Sequence, residues 1–453
     1  MKNKLPPDLL KSLHQVKGFD EKAFIEMHTS GDKVTSIRLN PAKHATFSIL
    51  HPTLQRVPWS TEGYYLTERP SFTLDPLFHA GVYYVQEASS MFLEQALRQT
   101  ADLNQPLRIL DLCAAPGGKS TLIQSLISED SLLVSNEVNK SRVNTLAENL
   151  TKWGAGNVVV TNNQPKDFQR LKEFFDVMVV DAPCSGSGLF RKDVDAIDHW
   201  SLDSVEMCAR RQKDILADAL DALKRDGILI YSTCSYSISE NEEIAEWLVG
   251  LGYASLPLQV ENDWGIVETL STNVSAKGYR FYPDKIKGEG FFISAFRKTS
   301  GDQSDSRPPK NKLQSASPKE LLIASEFIEV KDPHFVKWGE HILALTSGVF
   351  STLSLLQSAL YVKKGGVNVG SVIREEMIPH HELAMSNWLT KVPAIHVDES
   401  TALNFLRRKD IQIESYARGW VLVKYKDTAL GWIKNMGNRM NNYYPKEWRI
   451  LNK

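Results

Sequence analysis

Arg108-Ile109-Leu110-Asp111-Leu112-Cys113-Ala114-Ala115-Pro116-Gly117-Gly118-Lys119-Ser120-Thr121 decides the fold of this 453-residue chain. A short apolar strand enters a turn of small residues, and the turn enters the start of a helix. Glycines let backbone approach a ligand closely, and a helix amino terminus offers free N–H groups and the positive end of its dipole. The stretch therefore reads as a strand, loop and helix that cradle a polar cofactor. Two familiar phosphate cradles do not fit. Gly118-Lys119-Ser120-Thr121 imitates the end of a P-loop, but Cys113 stands where its first glycine belongs and Pro116 removes an N–H donor. In the dinucleotide pattern G-x-G-x-x-G, the three glycine positions hold Cys113, Ala115 and Gly118. Further on, Leu132-Leu133-Val134-Ser135-Asn136-Glu137 reads as a second strand ending in a carboxylate, placed to accept hydrogen bonds from both hydroxyls of a ribose. A nucleoside cofactor without phosphates fits best.

Outward from this unit, strand and helix patterns alternate: 108–112, 119–128, 132–136, 140–151, 157–161, 176–181, 201–224 and 227–233. Such alternation implies an α/β protein with a parallel, doubly wound, Rossmann-like sheet over residues 77–298. Val177-Met178-Val179-Val180 and Ile228-Leu229-Ile230-Tyr231 read as buried strands, each followed by a cysteine. Cys184, in Asp181-Ala182-Pro183-Cys184-Ser185-Gly186, and Cys234, in Tyr231-Ser232-Thr233-Cys234-Ser235-Tyr236, would thus emerge at strand carboxyl ends, where open α/β sheets form their ligand crevice. Either both thiols face one substrate, or each is an inert packed cysteine. The four cysteines contain no C-x-x-C pair, so neither a zinc site nor a disulfide framework is expected, and Cys208 reads as packing.

Residues 1–76, with helical stretches and a strand at 35–40, read as a small N-terminal α/β domain. Residues 299–319 carry almost no large apolar side chains and read as a linker, which would make the chain beyond about Thr299 separable from cofactor binding. Residues 320–453, with short strands at 359–362 and 420–423, read as a mixed α/β, barrel-like module. With 42% hydrophobic residues the chain can fill several cores. It has neither a signal-peptide apolar region nor a run long enough to span a membrane, so a cytoplasmic location is expected. The net charge of −1 excludes a uniformly basic coat. Charge is local instead. Residues 421–453 hold seven Lys or Arg, among them Lys434, Arg439 and Lys446, against Asp427 and Glu447. They are interleaved with Tyr425, Trp432, Tyr443, Tyr444 and Trp448. Cations neutralise phosphates and aromatic faces stack on unpaired bases, although an amphipathic sheet with core aromatics has the same composition.

Together, Cys113 to Lys119, Asp181 to Gly186 and Tyr231 to Tyr236 resemble the motifs of the Sun or NSUN-type RNA cytosine-C5 methyltransferases. The stretch from His79 to Phe292 resembles that family's core, and the basic tail resembles its bacterial 16S rRNA F-type branch. The resemblance implies S-adenosylmethionine as cofactor, 16S rRNA or the small ribosomal subunit as partner, a PUA-like RNA-binding domain near the carboxyl terminus, and action as a monomer. It implies that Cys113, Ala114, Ala115, Pro116, Gly117, Gly118 and Lys119 line the cofactor with Glu137, Gln164 and Asp181. Gln164 stands where the family usually has an aspartate, and Pro283-Asp284 where it often has Pro-His before Gly288-Glu289-Gly290.

By the same resemblance Cys234 attacks C6 of cytosine and Cys184 assists release of the product. A thiolate suits this chemistry, since its addition turns the ring into an enamine that can take a methyl group. Asp181 would hydrogen-bond near N3 and the amino group, Lys119 would orient the cofactor or polarise the pocket, and Arg191 would meet RNA phosphate. Two rivals remain at this point. A DNA cytosine methyltransferase attacks from its Pro-Cys motif and would leave Cys234 surplus. A non-catalytic RNA-binding assembly factor would need neither thiol.

Overall fold

In the computed structural model, which describes residues 4–43, 54–301, 313–411 and 417–451, the alternating segments build one large sheet. Ahead of it, β1 (Thr35–Leu39), β2 (Gly63–Leu66) and β3 (Tyr83–Val85) form a small antiparallel sheet in the order β2-β1-β3. Its third strand lies past residue 76, because the chain turns through the helix Pro76–His79 and comes back to pair with β1.

The large sheet contains β4 (Arg108–Asp111), β5 (Leu132–Asn136), β6 (Val158–Thr161), β7 (Phe175–Asp181), β8 (Leu223–Thr233), β9 (Tyr253–Leu256), β10 (Val267–Leu270), β11 (Lys277–Phe281) and β12 (Phe291–Lys298). Five strands run parallel in the order β6-β5-β4-β7-β8. Their apolar runs are buried along nearly their whole length, as expected of strands covered on both faces. Beyond β8 the sheet continues antiparallel through β12, β11 and β10. The order reverses between β4 and β7, which places the crevice of a doubly wound sheet at their carboxyl ends.

The carboxyl-terminal region adds β13 (His334–Trp338), β14 (His341–Leu345), β15 (Val362–Gly365), β16 (Val367–Ile373), β17 (Glu376–Pro379), β18 (Ala394–His396), β19 (Gly419–Tyr425), β20 (Thr428–Asn435) and β21 (Met440–Asn442). They form two four-stranded sheets, β13-β14-β16-β17 and β18-β19-β20-β21, with one exception. β15 joins the edge of the large sheet, antiparallel to β6. Beside it the Asn163 side chain clasps the Tyr361 backbone, donating to its carbonyl at 3.1 Å and accepting from its N–H at 2.9 Å, while Arg170 donates to Ala359 O at 2.9 Å. This corrects the expected separability. Cutting the chain near Thr299 would strip the edge of β6 beside the cofactor loops, so such a truncation is expected to weaken cofactor binding as well as RNA binding. Of the expected linker, residues 302–312 lie outside the described residues, and Ser317 already caps the helix Pro318–Ser325 by accepting from Glu320 N.

Buried cations knit the parts together. Arg38 of β1 donates to Gln86 Oε1 at 2.8 Å and Thr121 Oγ1 at 2.5 Å, and lies over the Trp153 ring. Lys43 Nζ donates to the carbonyls of Ala80, Lys152 and Met385 at 3.2, 2.7 and 2.8 Å. No helix among the described residues is long and apolar enough to cross a membrane.

Candidate active site

Strand register sets the site. β7 and β8 run parallel with Asp181 opposite Ser232, so the loops that follow leave the sheet side by side. Cys184 Sγ and Cys234 Sγ consequently lie 2.9 Å apart, with both cysteines partly exposed and free. The hydrogen bond with Cys234, and then burial, raise the Cys184 thiol well above its ordinary pKa, so this residue keeps its proton. Asp181 Oδ2 meets Lys119 Nζ at 2.7 Å and Asp181 Oδ1 accepts from Ser232 Oγ at 2.8 Å, while the ammonium also sits 5.2 Å from the Phe291 ring centroid. The Cys184 loop is pinned from behind, since Gly188 N donates to Cys234 O at 2.8 Å and Gly290 N to Gly188 O at 3.0 Å. Only glycine fits at these two positions: a Cβ on Gly188 would lie 2.4 Å from Gly290 O, and one on Gly290 2.3 Å from Tyr236 Cζ.

On the other side of the switch point, residues 113–117 leave β4 and lead into the helix Gly118–Leu126. Gly117 caps that helix at φ +116°, a conformation L side chains rarely adopt. Arg142 donates to Ala115 O at 2.6 Å and Asn149 to Pro116 O at 2.8 Å, which fixes the loop on the helix Arg142–Trp153. Glu137, buried just past β5, accepts from Asn139 N at 2.8 Å through Oε1 and has Arg142 Nη1 3.4 Å from Oε2. Asp111, fully buried at the end of β4, accepts from Ser120 Oγ at 2.6 Å through Oδ2, and its Oδ1 has no hydrogen-bond partner among the described residues. Burial pushes this carboxyl up to about 7. The donor set suits S-adenosylmethionine: a small-residue loop lets the cofactor approach the backbone, and the Glu137 carboxylate at the end of β5 can accept from ribose hydroxyls. Gln164 is exposed at the head of the short helix Pro165–Leu171, where it caps the Asp167 N–H. Replacing Glu137 by alanine should weaken cofactor binding about 10- to 100-fold, since a hydrogen bond to a charged group contributes about 1.5–3 kcal/mol. Calorimetric titration showing unchanged affinity would remove the ribose assignment.

The expected RNA contacts divide. Arg191 is corrected: its guanidinium is buried, donating to Asp32 O at 2.6 Å and Gly288 O at 3.1 Å, with Glu289 Oε2 3.5 Å away. With its charge matched inside the protein it does not face phosphate. Lys434, Arg439 and Lys446 do reach the surface, at the end of β20, in the turn before β21 and in the Lys446–Trp448 turn. Tyr425, Trp432 and Tyr444 are core residues, which corrects their reading as stacking platforms. Tyr443 is exposed, and Trp420 and Trp448 are half-buried, each packed against a core on one side. Trp420, which the sequence reading passed over, packs 4.5 Å from the Tyr443 ring and lies under Lys434 at 5.3 Å. Asp111 and Glu240 were missed as well. Asp111 stood in the quoted stretch but reads as strand, and Glu240 reads as the acidic start of the helix Glu242–Gly250.

Residues 99–297 match the family described as 16S rRNA methyltransferase RsmB/F, residues 5–88 the N-terminal domain of 16S rRNA methyltransferase RsmF, and residues 392–450 the methyltransferase RsmF PUA domain. A ribosomal RNA small subunit methyltransferase F from Shewanella loihica is 30% identical over 432 residues, covering 91% of this chain and 88% of that protein. A methyltransferase homolog protein from Pyrococcus horikoshii, known from its crystal structure, is 29% identical with a TM-score of 0.52, covering 65% of this chain and 100% of that one. The crystal structure of NSun6 from Pyrococcus horikoshii with SFG shares the fold, at a TM-score of 0.54 and 19% identity over 65% of this chain and 99% of that one.

Proposed function

The chain belongs to the 16S rRNA methyltransferase family that includes ribosomal RNA small subunit methyltransferase F, and on that premise we propose that it methylates C5 of a cytosine in 16S rRNA through a transient bond to Cys234. It is an S-adenosylmethionine-dependent RNA methyltransferase. The observation that carries the finer reading is the pair of free thiols 2.9 Å apart, beside the Asp181–Lys119 ion pair, at the crevice of the sheet.

When bound, the cofactor supplies an electrophilic sulfonium methyl group. The protein's part is to make C5 nucleophilic. Cys234 Sγ adds to C6, and the ring electrons move toward C5 and N3. Asp181, fixed by Lys119 and Ser232, takes a hydrogen bond from the amino group and holds the base in plane as charge develops. Once C5 carries the methyl group, solvent water takes the C5 proton, the electrons of that C–H bond re-form the C5–C6 double bond, and Cys234 leaves C6 as a thiolate. Cys184, held protonated against Cys234, assists by giving its proton to the departing sulfur. Glu137 and the 113–119 loop hold the cofactor, with Gln164 at its adenine end.

Lys434, which lies over Trp420, forms the RNA-facing surface in this reading together with Tyr443, Arg439 and Lys446. Changing the three cations to alanine should lower RNA affinity and reduce the salt slope by about 2, since each phosphate contact on single-stranded nucleic acid contributes about 0.7. Cofactor affinity should not move. An unchanged salt slope would make this face structural only. The function itself is tested by bisulfite sequencing of small-subunit rRNA from cells with and without the gene. Loss of a protected cytosine on deletion is expected; identical patterns would overturn the reading, and a change confined to genomic DNA would transfer it to DNA.

A further inference from the structure

We propose that Glu240 is a positioning residue that holds the two thiol loops in register, an inference resting on the reading of Cys184 and Cys234 as the reacting pair. Its carboxylate is fully buried and has no cation within ion-pair distance among the described residues. Four donors satisfy it instead: Ser185 N at 2.8 Å, Ser185 Oγ at 2.5 Å, Gln212 Nε2 at 3.0 Å and Ser235 Oγ at 2.5 Å. Ser185 directly follows Cys184 and Ser235 directly follows Cys234. One carboxylate thus ties the two loops at equivalent points, with the two serine oxygens 3.2 Å apart.

The neighbouring groups complete the clamp. Gln212 Nε2 also donates to Pro183 O at 3.0 Å, on the near side of Cys184. Asn241 accepts from Thr233 Oγ1 at 2.6 Å and donates to Ser235 O at 2.8 Å, spanning Cys234. Tyr231 OH lies 2.7 Å from the Glu240 carbonyl and 3.0 Å from Gln212 Oε1. Each cysteine is therefore held by the residues before and after it. A carboxylate has a second effect that a neutral link would lack. It accepts only, so both serine hydroxyls spend their protons on Glu240 and neither is available to donate to a sulfur. The thiols are left with each other and, for Cys184, with the Gly186 backbone as partners. Burying an unpaired charge is costly, and four strong donors are what offset that cost here.

The test reads the sulfur pair directly, apart from methylation. In the full chain, diamide takes two hydrogens from Cys184 and Cys234, is itself reduced to the hydrazine, and leaves a disulfide that peptide mapping quantifies with time. Glu240→Ala should slow closure by about tenfold or more and lower kcat about 100-fold, the scale of roughly 1 Å of misplacement, with KM for cofactor and RNA little changed. Glu240→Gln keeps the shape and can bond both hydroxyls, so it should restore most of the closure rate. Alkylation of Cys113 and Cys208 should be the same in all variants, which separates local from global loosening. Should Glu240→Ala not fold, Ser185→Ala combined with Ser235→Ala removes the two hydroxyl ties while leaving those from Ser185 N and Gln212, and should slow closure in the same direction. Closure at the wild-type rate in the folded alanine variants would overturn the proposal. Slowed closure in a protein that never methylates RNA would leave it standing while removing the function assigned above.

Discussion

Replacing Cys234 by alanine is expected to abolish methyl transfer, by about 10³-fold or more, and to leave no covalent protein–RNA species, because no other thiolate is in place to add to C6. Cys184→Ala should behave differently. Attack and methyl transfer proceed, but release stalls, so an adduct that survives denaturing electrophoresis should accumulate when RNA and S-adenosylmethionine are both supplied. An adduct from Cys234→Ala and none from Cys184→Ala would reverse the roles and favour the attack geometry of the DNA enzymes. Full activity in both variants would reject thiol chemistry.

The second large effect is expected at Asp181. Asp181→Asn keeps the size of the side chain and can still accept from Ser232 Oγ, but it removes the negative charge 2.7 Å from Lys119 and points an amide toward either that ammonium or the cytosine amino group. Losing one oriented electrostatic contact to the developing charge costs about 10²–10³ in kcat. Rapid-quench measurement of adduct formation should therefore slow by that factor, while RNA affinity stays within a small multiple of wild type. An unchanged rate of adduct formation would place Asp181 outside the chemistry and leave it a strand-end residue.

How much of this was legible in the sequence depends on where each residue's partners lie. The cradle at 108–121 and the five parallel strands were readable, because each is a short apolar run closed by small residues and each is buried on both faces. The meeting of Cys184 with Cys234 followed from both leaving adjacent strand ends. β15 was read too early: a strand was expected at 359–362, but Ala359 closes the helix Ser347–Ala359 and the strand is Val362–Gly365, which carries two lysines in four residues and forms because β6 presents an open edge. Arg191 showed a charge but not its direction, which is set by Asp32, Gly288 and Glu289 from distant parts of the chain. The tail aromatics were misread for a related reason. β19 is covered on both faces, with Val421, Val423 and Tyr425 packed into one core and Leu422 into another. Composition alone could not separate Tyr425, Trp432 and Tyr444 from the half-buried Trp420 and the exposed Tyr443. Glu240 left no periodic signal at all, because its partners are loop serines and a helix glutamine.

The central claim, that Cys234 bonds to a cytosine in RNA, is tested most directly by trapping the bond and mapping it. RNA carrying 5-fluorocytosine is incubated with the wild-type protein and S-adenosylmethionine. Fluorine cannot leave C5 as a proton does, so release is blocked after methyl transfer and the adduct persists. Digestion and mass spectrometry should then find the methylated nucleotide on the peptide containing Cys234. Finding it on the peptide containing Cys184 or Cys113, or finding unmodified peptides beside RNA that has been methylated elsewhere, would contradict the account.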